Sequence, residues 1–151
     1  MKVENFYWTF ETDEFPILHV NNGYCNEERI LGERLYDHFN DNSLNPELPS
    51  FTDWGFVFNF KCQNNYFVFI IRCLNVSDKL FGIMIYKRDS LITNLVDSLF
   101  NKKINIDKLV HLIEIILNSE TSLYKIRRYS ETEWRNFFKN TNIAEVEYCK
   151  E

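Results

Sequence analysis

Trp54-Gly55-Phe56-Val57-Phe58-Asn59-Phe60, Cys62-Gln63-Asn64-Asn65 and Tyr66-Phe67-Val68-Phe69-Ile70-Ile71-Arg72-Cys73 form the stretch that decides the fold. In the first block aromatic residues alternate with smaller ones, the two-residue period of a strand. The second block is a turn, rich in residues that tolerate unusual backbone angles. The third is a nearly unbroken apolar run, which implies a strand covered on both faces. Asn75 to Lys79 supplies a second turn and Phe81 to Lys87 a third strand. Three strands with short connections make an antiparallel meander.

Working outward toward the N-terminus, Phe6 to Phe10 reads as another strand, with Phe6, Trp8 and Phe10 on one face and Tyr7 and Thr9 on the other. An acidic turn, Glu11 to Glu14, follows, and Phe15 to Val20 reads as a second short strand, which Pro16 either places at a sheet edge or begins. Beyond the turn at Asn21-Asn22-Gly23 the period becomes helical. From Asn26 to Asn40 one face carries Ile30, Leu31, Leu35, His38 and Phe39, and the other Arg29, Glu33 and Asp37. Asp41 to Thr52, with Pro46 and Pro49, reads as a long loop and a candidate contact region.

Toward the C-terminus, Asp89 is positioned to cap a helix over Ser90 to Asn101, and Asn105 one from Ile106 to Asn118 whose apolar arc is wider than one face. Leu123 to Tyr129 reads as a last strand or an extended link. Ser130 and Glu133 have the spacing of a capping box ahead of Trp134, Phe137 and Phe138. The polar tail from Asn140 is expected to fray. The sum is an α+β chain: one domain over residues 1–151, an antiparallel β-meander sheet packed against several α-helices. An aromatic content of 17% in 151 residues provides the ring surface for one such core and argues against disorder.

Several function classes lose support at this level. Only four glycines occur, and no phosphate-cradling loop is legible. Cys25, Cys62, Cys73 and Cys149 lack zinc-ligand spacing, and no histidine pair has the four-residue spacing of a helical metal site, so neither metal nor cofactor is expected. No secretory signal or membrane span is legible, and a cytoplasmic protein with reduced thiols is expected. His19 and Cys25 face each other across a turn, but a Cys–His nucleophile needs a third, orienting group, and none is legible nearby.

Charge is more informative. The net charge of −5 is unevenly spread: residues 1–53 hold eleven acidic and three basic residues, whereas residues 54–128 hold six acidic and eleven basic. An acidic front half is either a solvated surface or a patch that meets a basic partner; patches of that kind steer encounter and select partners. The candidate charge contacts are Glu11, Asp13, Glu14, Glu33, Asp37, Asp41 and Asp53, with Tyr24, Phe51 and Trp54 as aromatic anchors. The basic run Lys125-Ile126-Arg127-Arg128 is short and lacks a nucleic-acid motif; pairing with the acidic helix is its expected use.

Trp8-Thr9-Phe10-Glu11, together with Asp53-Trp54-Gly55-Phe56 entering a meander before an amphipathic helix pair, resembles the small bacterial immunity proteins of contact-dependent growth inhibition and related polymorphic toxin systems. In some of these the second spot reads Glu-Asp-Trp-Gly-Trp; here Thr52 and Phe56 stand in the first and last places. The resemblance follows element order from about Trp8 to Leu117. It implies a non-enzymatic protein that binds one cognate toxin domain, with no nucleic acid or membrane contact of its own, and blocks its active site. A different class with the same charge logic is a phage- or host-encoded inhibitor or adaptor that blocks a basic nucleic-acid-binding partner. A small enzyme is the third class.

Overall fold

A computed structural model of the protein describes residues 5–21, 24–53, 55–88 and 105–140, with Asn21, Tyr24 and Asn140 described through their backbone. Strand β1 (Asn5–Thr12) leads to a two-residue pair, β2 (Val20–Asn21) and β3 (Tyr24–Cys25), and then to helix α1 (Asn26–Asp41). The meander follows as β4 (Ser50–Thr52), β5 (Gly55–Cys62), β6 (Asn65–Asn75) and β7 (Leu80–Lys87). Helix α2 (Ile106–Ser119), strand β8 (Leu123–Tyr129) and helix α3 (Glu131–Asn140) complete the described chain. The sheet has six antiparallel strands in the order β4-β5-β6-β7-β1-β8. This is the α+β architecture that the alternating and helical periods imply. Trp54, the Ser90–Asn101 helix, Cys149 and the tail beyond Asn140 lie outside the described residues.

The meander forms for local reasons. Gln63 and Asn64 both take positive φ, 51° and 64°, which turns β5 into β6 over two residues and pairs Cys62 with Asn65. That geometry matches the twist of the flanking strands, and asparagine tolerates it better than most residues. Gly55 sits at φ 124°, where a Cβ would collide with the carbonyl oxygen of Ile71 on β6; glycine is required where β5 meets its neighbour.

The alternation then sorts side chains by face. Phe6, Trp8 and Phe10 of β1, Phe56, Phe58 and Phe60 of β5, Phe67, Phe69 and Ile71 of β6 and Phe81, Ile83 and Ile85 of β7 enter the main core with α1 and α2. Phe39 of α1 sits among Phe58, Phe60 and Phe69 with ring centroids 4.9–5.2 Å away, edge-on or steeply tilted to each. Gly32 lets the helix lie directly on Phe56, whose ring would clash with any Cβ there. On the other face Tyr7, Leu74 and Tyr129 pack with Trp134 of α3, and Tyr7 stacks on that indole at 4.8 Å. Val68 and Ile70 on this face are buried too, so the Phe67–Ile71 run of β6 is apolar on both of its faces because both are covered.

The capping residues act as their positions imply. Asn105 accepts the Lys108 amide, and its own N–H and C=O are clamped by the side-chain amide of Gln63 at the β5–β6 turn. Ser130 accepts the Glu133 amide at the start of α3. Two local expectations fail. Phe15 to Leu18 is not a strand; only Val20–Asn21 pairs, since Pro16 has no amide to donate to a ladder and the His19 amide is taken by Glu27 of α1. The Asp41–Thr52 loop is not a free loop: Lys61 donates to the Leu44 carbonyl, Glu47 donates to that of Asn59, and residues 50–52 form β4. The β5 edge is thereby covered.

Candidate functional site: the acidic end of the sheet

The last residues of β1, the first of β8, the β6–β7 turn and the C-terminus of α2 meet at one end of the sheet, and carboxylates gather there. Glu11 bonds the Lys125 ammonium at 2.9 Å, and Asp13 accepts the Tyr124 hydroxyl at 2.9 Å. Asp78, in the β6–β7 turn beside Lys79, is close enough to act on Lys125 as well. One turn of chain further on, Glu14 takes the Arg34 guanidinium of α1 in a two-pronged pair. Arg34 also lies 3.9 Å from Glu120, which bonds His38 at 3.1 Å and accepts the Ser122 hydroxyl at 3.0 Å. Five carboxylates thus surround Arg34 and Lys125 on a rim built from four segments distant in sequence.

The electrostatics follow from this crowding. The Arg34 hydrogen bond holds the Glu14 carboxyl below its ordinary value, and Glu14 in turn raises Arg34. The hydrogen bond to Asp13, reinforced by the negative charges of Asp13 and Glu11, pushes the Tyr124 phenol up to about 12. The Glu11 contact raises Lys125. Both shifts favour proton retention, as a negative field does.

The sequence-predicted site residues divide into three groups. Glu11, Asp13 and Glu14 meet on this rim. Glu33 and Asp37 are exposed on the outer stripe of α1 adjacent to the one carrying Arg34, Glu33 being paired to Arg29 at 3.0 Å, and Asp41 is exposed where that helix ends. Asp53 is exposed in the β4–β5 turn, at the same end of the sheet but four strands from β1, roughly 20 Å away at the usual spacing. Phe51 is half-buried and packs on the main core, so it is a structural ring rather than a free anchor. Tyr24 lies in β3, with its side chain outside the description, and Trp54 lies outside it altogether.

Two of the front-half acids are not surface charges at all. Glu27 and Glu28 are each 2% exposed, in the first turn of α1. Both Glu27 oxygens accept the His19 backbone N–H, at 3.1 and 2.9 Å, and one bonds His19 Nδ1 at 2.7 Å. Glu28 accepts the Cys73 amide of β6 at 2.6 Å. Their burial was readable: Glu28, Leu31, Leu35 and Phe39 share one helical stripe, which is the buried one.

Glu27 also supplies the third group beside His19 and Cys25, but in the wrong order for catalysis. The Cys25 thiol, fully buried, donates to the Glu27 carboxylate at 3.6 Å, and the imidazole bonds the same carboxylate with its side chain 70% exposed. Thiol and imidazole thus both bond the carboxylate, whereas a Cys–His nucleophile needs the imidazole to take the thiol proton. Among the described residues no group of three or more His, Cys, Asp or Glu is arranged to hold a metal ion. Among them, too, no helix is long and apolar enough to cross a membrane.

The basic run is paired inside the molecule, but with other partners than α1. Lys125 bonds Glu11 of β1, Arg127 reaches Glu133 of α3 at 3.4 Å and lies over the Tyr129 ring, and Arg128 lies over Phe6. The bulge that sets Lys125 at φ 51° against β1 turns its side chain toward Glu11. Compared with protein-family models, curated proteins and solved structures, the chain finds no match.

Proposed function

We propose that the protein is an inhibitor of the immunity type: it binds one basic toxin domain, a nuclease by the charge logic, through the acidic end of its sheet and blocks the toxin's active site. The observation that carries this reading is the convergence of Glu11, Asp13, Glu14, Asp78 and Glu120 on one rim, beside the Glu33–Asp37 stripe of α1. Chain segments far apart in sequence supply these charges, and a field from one rim steers a cationic partner into register. The pairing of Glu14 with Arg34 and of Glu11 with Lys125 fixes the carboxylates in place and leaves the rim with more acids than cations. The intramolecular use of Lys125, Arg127 and Arg128 supports a role in which this chain contacts no nucleic acid itself.

Co-expression with the C-terminal domain of the product of the adjoining gene tests the proposal. The expected result is a complex that survives purification at low salt and weakens as salt rises. A neighbour with no toxin-like domain, or the two chains eluting separately at low salt, would contradict it.

A further inference from the structure

The two buried carboxylates of α1 attach the helix to different parts of the molecule. Glu27 holds the end of the segment that follows β1, through His19, and Glu28 holds the end of β6, through the Cys73 amide. Cys25, which precedes the helix, supplies no side-chain cap, so these bonds dock the first turn. We propose that this first turn is a proton-dependent latch: protonated Glu28 keeps the helix end docked on β6, and loss of that proton loosens it. The latch is independent of the partner the protein binds.

The groups facing Glu28 set the direction. Burial acts most strongly and disfavours the anion; the Cys73 N–H and the Arg72 charge on β6 favour it, and the neighbouring Glu27 carboxylate opposes it. The balance pushes Glu28 up to about 7. Cys25 and His19 reach the junction through Glu27 and not through Glu28. Two adjacent buried carboxylates in one helical turn cannot both carry charge cheaply, because each is withdrawn from water and each repels the other. As pH rises through neutrality, the molecule relieves this by letting water reach Glu28, which means separating the first turn of α1 from β6. Because His19 is tied to the same turn, the acidic Asp13–His19 segment loosens with it.

Hydrogen exchange on the full chain reads the latch, with rates corrected for intrinsic pH dependence. Between about pH 5.5 and about pH 8.5 the protection of the Ile30–Gly32 and Cys73 amides is expected to fall roughly tenfold, while the central amides of β1 and β7 hold. In Glu28→Gln the same amides are expected to stay level. An equal fall in Glu28→Gln, no fall in the native chain, or a uniform fall across the sheet would overturn the proposal. Should Glu28→Gln not fold, carboxyl-carbon NMR of the native protein decides: a Glu28 midpoint near neutrality supports the latch, and one in the ordinary carboxylate range overturns it.

Discussion

Glu28 and Glu14 are the same residue type, and the fold uses them in opposite ways. Glu14 stands at the rim with Arg34 and water around it, and its carboxyl is held low. Glu28 sits between α1 and β6, and its carboxyl is held high. The difference comes from burial outweighing partners at one site and partners outweighing burial at the other. The acidic front half of the sequence is therefore two systems: an outer field available to a partner, and an inner pair that fastens a helix.

The largest expected effect comes from the inner pair. A carboxyl raised in the folded state leaves the unfolded chain binding fewer protons, so stability falls as pH climbs from the ordinary carboxylate value to about 7 and stays reduced above it. Glu28→Gln removes that loss and is expected to stabilise the protein by up to about 3 kcal/mol at pH 8 relative to its effect at pH 4. Urea denaturation across pH reads this directly; an unchanged pH slope would erase the distinction between the two carboxylates. Glu27→Gln goes the other way. It sets an NH2 group among the His19 N–H, the His19 ring and the Cys25 thiol, and is expected to destabilise by about 2 kcal/mol at pH 7.

The rim effects are smaller. Glu14→Gln breaks the pair with Arg34, but both side chains are about a third exposed and screened by solvent, so a loss of no more than about 1 kcal/mol is expected. That contribution is present at neutral pH and disappears as acid protonates Glu14 below its ordinary value. A loss equal to that of Glu27→Gln would show the rim to be structural. Smallest is Glu33→Gln on the outer stripe of α1, expected to change stability by about 0.3 kcal/mol and to lose even that at high salt.

Much of this was legible in the sequence, and the failures have physical causes. The period-two blocks around Phe58 and Phe69 specify the meander, because a strand buried on one or both faces leaves little choice of register. Asn105 and Ser130 mark helix starts by a local hydrogen bond, which local sequence can show. The Phe15–Val20 stretch was misleading because Phe15 and Leu18 reach the main core without a strand partner, Ile17 stays exposed, and only Val20 pairs. Phe51 reads as a free ring until β4 pairs with β5 and turns it onto the core. The rim itself was half readable: Glu11, Asp13 and Glu14 are neighbours in sequence, but Asp78 and Glu120 join them only through the strand order. Glu27 and Glu28 carried a signal in their helical phase with Leu31 and Leu35, masked by the general rule that carboxylates face water.

Association kinetics with the C-terminal domain of the adjoining gene's product, the partner proposed above, decide whether the acidic rim is a docking surface. Neutralising Glu11 and Asp13 together, as Glu11→Gln with Asp13→Asn, is expected to slow association roughly tenfold at low salt and hardly at all at high salt, while Glu33→Gln alone has a smaller effect. An association rate unmoved by the rim substitutions at low salt would contradict a docking role for the rim.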